Sequence, residues 1–154
     1  MAKPIPDGYH TLTPTFMYKD TRKAIDFYKK AFGATEKFLM PGPDGKGVMH
    51  AQVQIGDSII MMGDEQPHCK SAESLGNTPV GMYMYVKDVD AAFKKALAAG
   101  GAVRMPVTDM FWGDRMGAIN DPFGYSWTIA THIADPTQEE MARGAEEMFA
   151  GAGK

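Results

Sequence analysis

Between Thr11 and Tyr18 apolar and polar residues alternate, with β-branched and aromatic side chains prominent, so the stretch predicts a strand. Asp20 follows, placed to cap a helix by accepting the unpaired N–H groups of its first turn. Ala24, Ile25, Phe27, Tyr28, Ala31 and Phe32 then recur at helical spacing, and Gly33 suits a left-handed C-cap. The pattern returns later. Gly81–Val86 alternates, Asp88 caps, Val89, Phe93, Ala96 and Leu97 form the apolar face, and Gly100-Gly101 end the helix. Three strands are expected after each helix: Thr35–Met40, Val48–Ile55 and Ser58–Met62, then Val103–Met105, Met116–Ile119 and Tyr125–His132.

The two halves align without a gap at an offset of 68 residues, matching Lys19/Lys87, Asp20/Asp88, Ala24/Ala92, Ala31/Ala99, Gly33/Gly101 and Ala34/Ala102. The chain therefore reads as one α+β domain over 1–154. It comprises a βαβββ module over about 8–62, a polar linker over 63–79 and a second module over about 80–132. A C-terminal helix over about 136–149 is expected, capped by Asp135, with Met141, Ala145, Met148 and Phe149 on one face. Gly144 should weaken that helix by about 1 kcal/mol relative to Ala.

Strand alternation assigns the faces. Leu12, Pro14, Phe16 and Tyr18 should face a helix, as should Met49, Ala51, Val53 and Ile55, then Met82, Met84 and Val86, then Trp127 and Ile129. The other face collects Thr11, Thr13, Thr15, Met17, His50, Gln52, Gln54, Tyr83, Tyr85 and Thr128, a surface suited to lining a ligand cleft. A sheet face that merely meets solvent would show the same alternation.

Composition narrows the function. The net charge is −3, and 23% of residues are charged, which disfavours a nucleic-acid partner. No apolar run approaches the roughly 20 residues of a membrane span, and MAKPIPDGYH does not read as a secretory signal. A lone Cys69 cannot form an internal disulfide. A soluble, cytoplasmic protein without a nucleic-acid or membrane partner is expected.

Several motifs carry a family likeness. Asp20-x4-Ile25-Asp26-Phe27-Tyr28-x3-Phe32-Gly33, its echo at Asp88–Gly101, and Asp121-Pro122-Phe123-Gly124 resemble the vicinal-oxygen-chelate superfamily of glyoxalase I, bleomycin-resistance proteins and extradiol dioxygenases. Gly8-Tyr9-His10-Thr11, Met49-His50-Ala51, Phe111-Trp112-Gly113-Asp114-Arg115 and Trp127-x4-His132 look like its PhnB-like branch. The resemblance implies two tandem βαβββ modules forming one curved, mixed, mostly antiparallel sheet around a cleft. Metal-dependent members place four ligands on the first and fourth strand of each module. Mapped here through the motifs, those positions are Thr13, Ile60, Gly81 and Thr128, none a competent side-chain ligand for a divalent ion. No metal or other cofactor is therefore expected. An atypical site would have to recruit from His10, His50, Glu65, Asp114 and His132.

The candidate ligand-binding set is Thr13, His50, Gln52, Tyr83, Trp112, Arg115 and Thr128. His50 is the candidate catalytic residue, since an imidazole titrates near neutrality, although a histidine hydrogen-bonded within a sheet fits equally. Trp112 could stack on a ligand and Arg115 could fork onto an acid, or the two could belong to a packed loop with a local ion pair. The leading expectation is a metal-independent small-molecule-binding protein. The alternatives are an enzyme of the same superfamily working through His50 or an atypical metal site, and a dimeric scaffold with no small ligand. The apolar face of the last helix points to a homodimer.

Overall fold

The structure is a computed structural model and describes residues 2–151. The first module runs β1 (Thr15–Tyr18), α1 (Thr21–Phe32), β2 (Thr35–Pro41), β3 (Val48–Ile55) and β4 (Ser58–Asp64). A short helix α2 (Ala72–Leu75) interrupts the connection. The second module runs β5 (Gly81–Tyr85), α3 (Val89–Ala98), β6 (Ala102–Asp109), β7 (Asp114–Asn120) and β8 (Ser126–His132), followed by α4 (Gln138–Gly151). Asp20 and Asp88 cap α1 and α3 as expected, accepting from Lys23 N and Ala91 N at 3.1 and 3.0 Å. Gly33 ends α1 at φ 66°.

The strand orders are β1-β4-β3-β2 and β5-β8-β7-β6, with the first pair of each parallel and the rest antiparallel. Backbone pairing stays within each module, so the architecture is two four-stranded sheets rather than one continuous sheet. The helix-bearing sides of the modules meet. α1 packs on α3, and Phe16 and Tyr28 of the first module lie against Tyr125 and Trp127 of the second. At their centre is the buried Asp121 carboxylate. Its Oδ2 accepts from the Tyr28 hydroxyl at 2.6 Å and the Trp127 indole at 3.0 Å, and its Oδ1 from the backbone N–H groups of Phe123 and Tyr125, both at 2.9 Å.

Three expected orientations change. Proline has no N–H for a ladder, and β1 begins only after Pro14, which leaves Leu12 87% exposed. Met40 pairs with His50 but Pro41 with Val48, so Met49 is the extra residue of a β-bulge and turns outward. Ile60 pairs with Val53 on the core face and is buried; Met61, paired with Gln52, takes the outer face. Thr15 pairs with Met61 and Tyr83 with Thr128, so the first module carries one more residue between these paired strands than the second, and the internal equivalence slips by one residue, from Ile60 to Met61.

The last helix is capped by Thr137, not Asp135. Thr137 Oγ1 accepts from Glu140 N at 3.3 Å while the Glu140 carboxylate accepts from Thr137 N at 2.8 Å, a reciprocal capping box. Gly144 has a packing reason: a Cβ there would overlap the Phe111 side chain.

Candidate functional site

On the outer face of the second sheet the alternation of β5 presents Tyr83 and Tyr85, their rings 5.2 Å apart. Both hydroxyls donate to Asp114 Oδ2, at 2.7 and 3.0 Å. Asp114 opens β7 directly opposite His132, the end of β8, and its Oδ1 lies 2.8 Å from His132 Nδ1. The second ring nitrogen of His132 lies 3.0 Å from the exposed Asp135 carboxylate. The Asp114 side chain is only 4% exposed and that of His132 50%, so an anion sits beneath a reachable imidazole. Gly113 makes this possible. Its φ is 93°, a Cβ would collide with Ala134, and its carbonyl accepts from the Ile133 and Ala134 N–H groups at 2.8 and 3.1 Å.

The electrostatics follow from these contacts. Burial works to raise the Asp114 pKa, but the hydrogen bonds from Tyr83, His132 and Tyr85 outweigh it and hold the carboxyl below its usual range. The contact with Asp135, then that with Asp114, raises the His132 pKa. Burial, then the bond to Asp114, pushes the Tyr83 phenol up to about 12. The Tyr85 phenol also rises, chiefly through its bond to Asp114. With both phenols held as donors to the carboxylate, their oxygens can still accept from a ligand, beside a histidine biased toward its cationic form.

Arg115 is absent from this surface. β7 already begins at Asp114, where a loop was expected, and alternation turns Arg115 to the opposite face. There its guanidinium donates to both oxygens of Asp90 at 2.8 and 2.9 Å and to Asp109 at 2.7 Å. Its planar fork is spent on these carboxylates, tying β7 to α3. Trp112 stays near the cluster, where its indole N–H opposes the rise of the Tyr83 pKa, and its ring packs edge-on against Phe111 at 4.9 Å.

A cleft of about 1170 Å³ opens between the modules. Phe32, Met82, Met84 and Trp127 line it, Thr13 enters from the N-terminal segment, and Tyr83, Tyr85 and His132 border it along the edge of the second sheet, with Asp114 outside the lining. A smaller hollow of about 540 Å³ is lined by Thr13, Gln52 and the Pro4–Tyr9 segment. His50 and Gln52 lie on the outer face of the first sheet, 3.0 Å apart, with the Phe38 ring 6.1 Å from the imidazole. His50, Trp112, Arg115 and Thr128 line neither cavity. Of the expected ligand set, Tyr83 and Thr13 thus reach the cleft, while Thr128 sits beside Tyr83 on the sheet.

The pair of βαβββ modules around this cleft has relatives. Residues 10–129 match the model of the Glyoxalase/Bleomycin resistance protein/Dioxygenase superfamily. The chain belongs to that superfamily. An uncharacterized protein of Mycobacterium bovis, Mb0911c, is 40% identical over 135 residues, covering 84% of this chain and 88% of its own. The solved structure of the Arabidopsis thaliana gene product AT5G48480 is 26% identical, with a TM-score of 0.64 over 79% of this chain and 98% of its own. The PhnB protein from Bacillus cereus, titled a putative 3-demethylubiquinone-9 3-methyltransferase, shares the fold at 19% identity, with a TM-score of 0.61 over 79% of this chain and 99% of its own.

Superfamily membership raises the question of a metal. By the resemblance, the ligand positions of metal-dependent members fall on Thr13, just before β1, and on Gly81, Thr128 and, with strand pairing setting the equivalence, Met61 in place of Ile60. A neutral hydroxyl is a poor donor to a divalent ion, a thioether prefers soft ions, and glycine offers no side chain, so these residues do not fit the superfamily's metal. Among the described residues no three His, Cys, Asp or Glu side chains converge on one point. Of the atypical set, only Asp114 and His132 meet, while Glu65 accepts from the Ser71 hydroxyl at 2.7 Å and His10 lies 3.8 Å from Asp57.

Proposed function

We propose that this chain is a small-molecule-binding member of the superfamily that works without the superfamily's metal. Its ligand sits in the cleft between the modules. The observation that carries this reading is the conjunction of a large, mostly apolar cleft with a polar cluster at its border, while the positions that the resemblance assigns to metal ligands hold Thr13, Met61, Gly81 and Thr128. A roomy, mostly apolar concavity with a few convergent polar groups is the usual form of a small-molecule site. Asp114 fixes the directions of Tyr83, Tyr85 and His132, so this border is ordered before a ligand arrives. His50 has a glutamine as its hydrogen-bond partner, not a carboxylate that would orient it as a base, which favours binding over catalysis through that residue.

We further propose a cytoplasmic homodimer. Phe38, Met40 and Met49 on the first sheet and Phe149 on α4 are all exposed, and a second copy would cover such surface. The functional test is a thermal-shift screen of metal-free protein against a chemically diverse small-molecule library, since a ligand that binds only the folded chain raises its melting temperature. Hits that lose their effect in Tyr83→Phe or Ala92→Trp, which alter the cleft wall and its α3 side, support the reading. Hits indifferent to both variants contradict it.

A further inference from the structure

We infer that the ligand of the cleft is an amphipathic organic anion: an apolar chain or ring system carrying a carboxylate or similar acidic head. The inference rests on the binding role proposed above and specifies its chemistry. Lys87 and Lys95 line the cleft together with His10 and His132, and each histidine has carboxylates of its own: Asp57 lies 3.8 Å from His10, and Asp114 and Asp135 lie 2.8 and 3.0 Å from His132. Neither Lys87 nor Lys95 makes an ion pair among the described residues, although the chain as a whole is acidic at −3.

Beneath these charges the lining is apolar. Phe32, Met82, Met84 and Trp127 come from α1, β5 and β8, and Ala92 of α3 leaves room above them. An apolar body removed from water against this floor leaves its acidic head within a lining whose unpaired charges are the ammonium groups of Lys87 and Lys95, where a charge-assisted bond is stronger than a neutral one. A cationic ligand would meet an excess of like charge. The anion-binding role expected of Arg115 thus passes to the two lysines, because the Arg115 guanidinium is committed to Asp90 and Asp109 on the far face.

The test is calorimetric titration of the full-length, metal-free protein with three probes matched in chain length and kept below micelle formation: dodecanoate, dodecyltrimethylammonium and dodecanol. Dodecanoate is expected to bind at least about tenfold more tightly than the cationic probe, a free-energy difference of about 1.4 kcal/mol. Lys87→Gln combined with Lys95→Gln should weaken dodecanoate about tenfold and leave dodecanol unchanged, as a single charge-assisted contact is of that size. Lys46→Gln, in the distant β2–β3 turn, should change nothing. Equal binding of all three probes, untouched by the double variant, overturns the anion preference and leaves the cleft as a binding site. No binding of dodecanoate, with Ala92→Trp-sensitive binding of other library compounds, also overturns only the anion. Failure of every compound overturns both.

Discussion

One carboxylate, Asp121, accepts four hydrogen bonds at the junction of the two modules, two from side chains and two from backbone. Asparagine has the same shape, but its amide NH₂ would replace one accepting oxygen and confront the donors now satisfied there. Asp121→Asn is expected to lower unfolding stability by about 3 kcal/mol, the loss of one to two charged hydrogen bonds inside the core; urea denaturation at neutral pH measures it. His132 behaves differently because it is half-exposed. Its folded-state pKa is raised, so its contribution to stability is complete below the unfolded value and is lost as pH rises through the folded one. NMR titration should find the imidazole titrating above an ordinary histidine. Asp114→Asn should bring the value down and flatten that part of the stability profile. An unchanged titration would mean that the Asp114 contact is not formed in solution.

At the scale of elements, local signals were legible and longer-range geometry was not. Both aspartate caps, the glycine C-cap of α1 and the order of strands and helices follow from residue type and spacing alone, because each depends on neighbours within a turn or two. The bulge at Met49, the slip that replaces Ile60 by Met61, and the extension of β7 to include Arg115 depend on how strands pair, which spacing along one strand does not encode. The Tyr83–Asp114–His132 cluster joins residues far apart in sequence. Its only local trace was the alternation that placed Tyr83 and Tyr85 on one face. The capping box Thr137-x-x-Glu140 was readable but lay behind the more obvious Asp135-Pro136. Gly144 offers a test of packing against propensity. Gly144→Ala should stabilise an isolated helix by about 1 kcal/mol, yet here it should lower the melting temperature, because the new methyl overlaps Phe111. In a Phe111→Ala background the sign should reverse, and a double-mutant cycle by thermal denaturation reads the difference.

The whole molecule is two similar modules packed through their helix-bearing sides, with two sheet faces turned outward and a cleft between. If a second copy covers those faces, sedimentation should return twice the chain mass. Phe38→Glu, which puts a charge on an exposed apolar position of β2, should return a single chain. The tandem repeat was legible at this scale, but the division into two sheets was not, since a repeat fixes what each half is and not how the halves join. The central claim is that the cleft binds an amphipathic small molecule with no divalent ion. Calorimetric titration of dodecanoate into EDTA-dialysed protein, into the same protein with zinc or manganese restored, and into Ala92→Trp tests it most directly. The account predicts the same affinity with and without the ion and loss of binding when the cleft is filled; binding that appears only with the metal, or that survives Ala92→Trp, would contradict it.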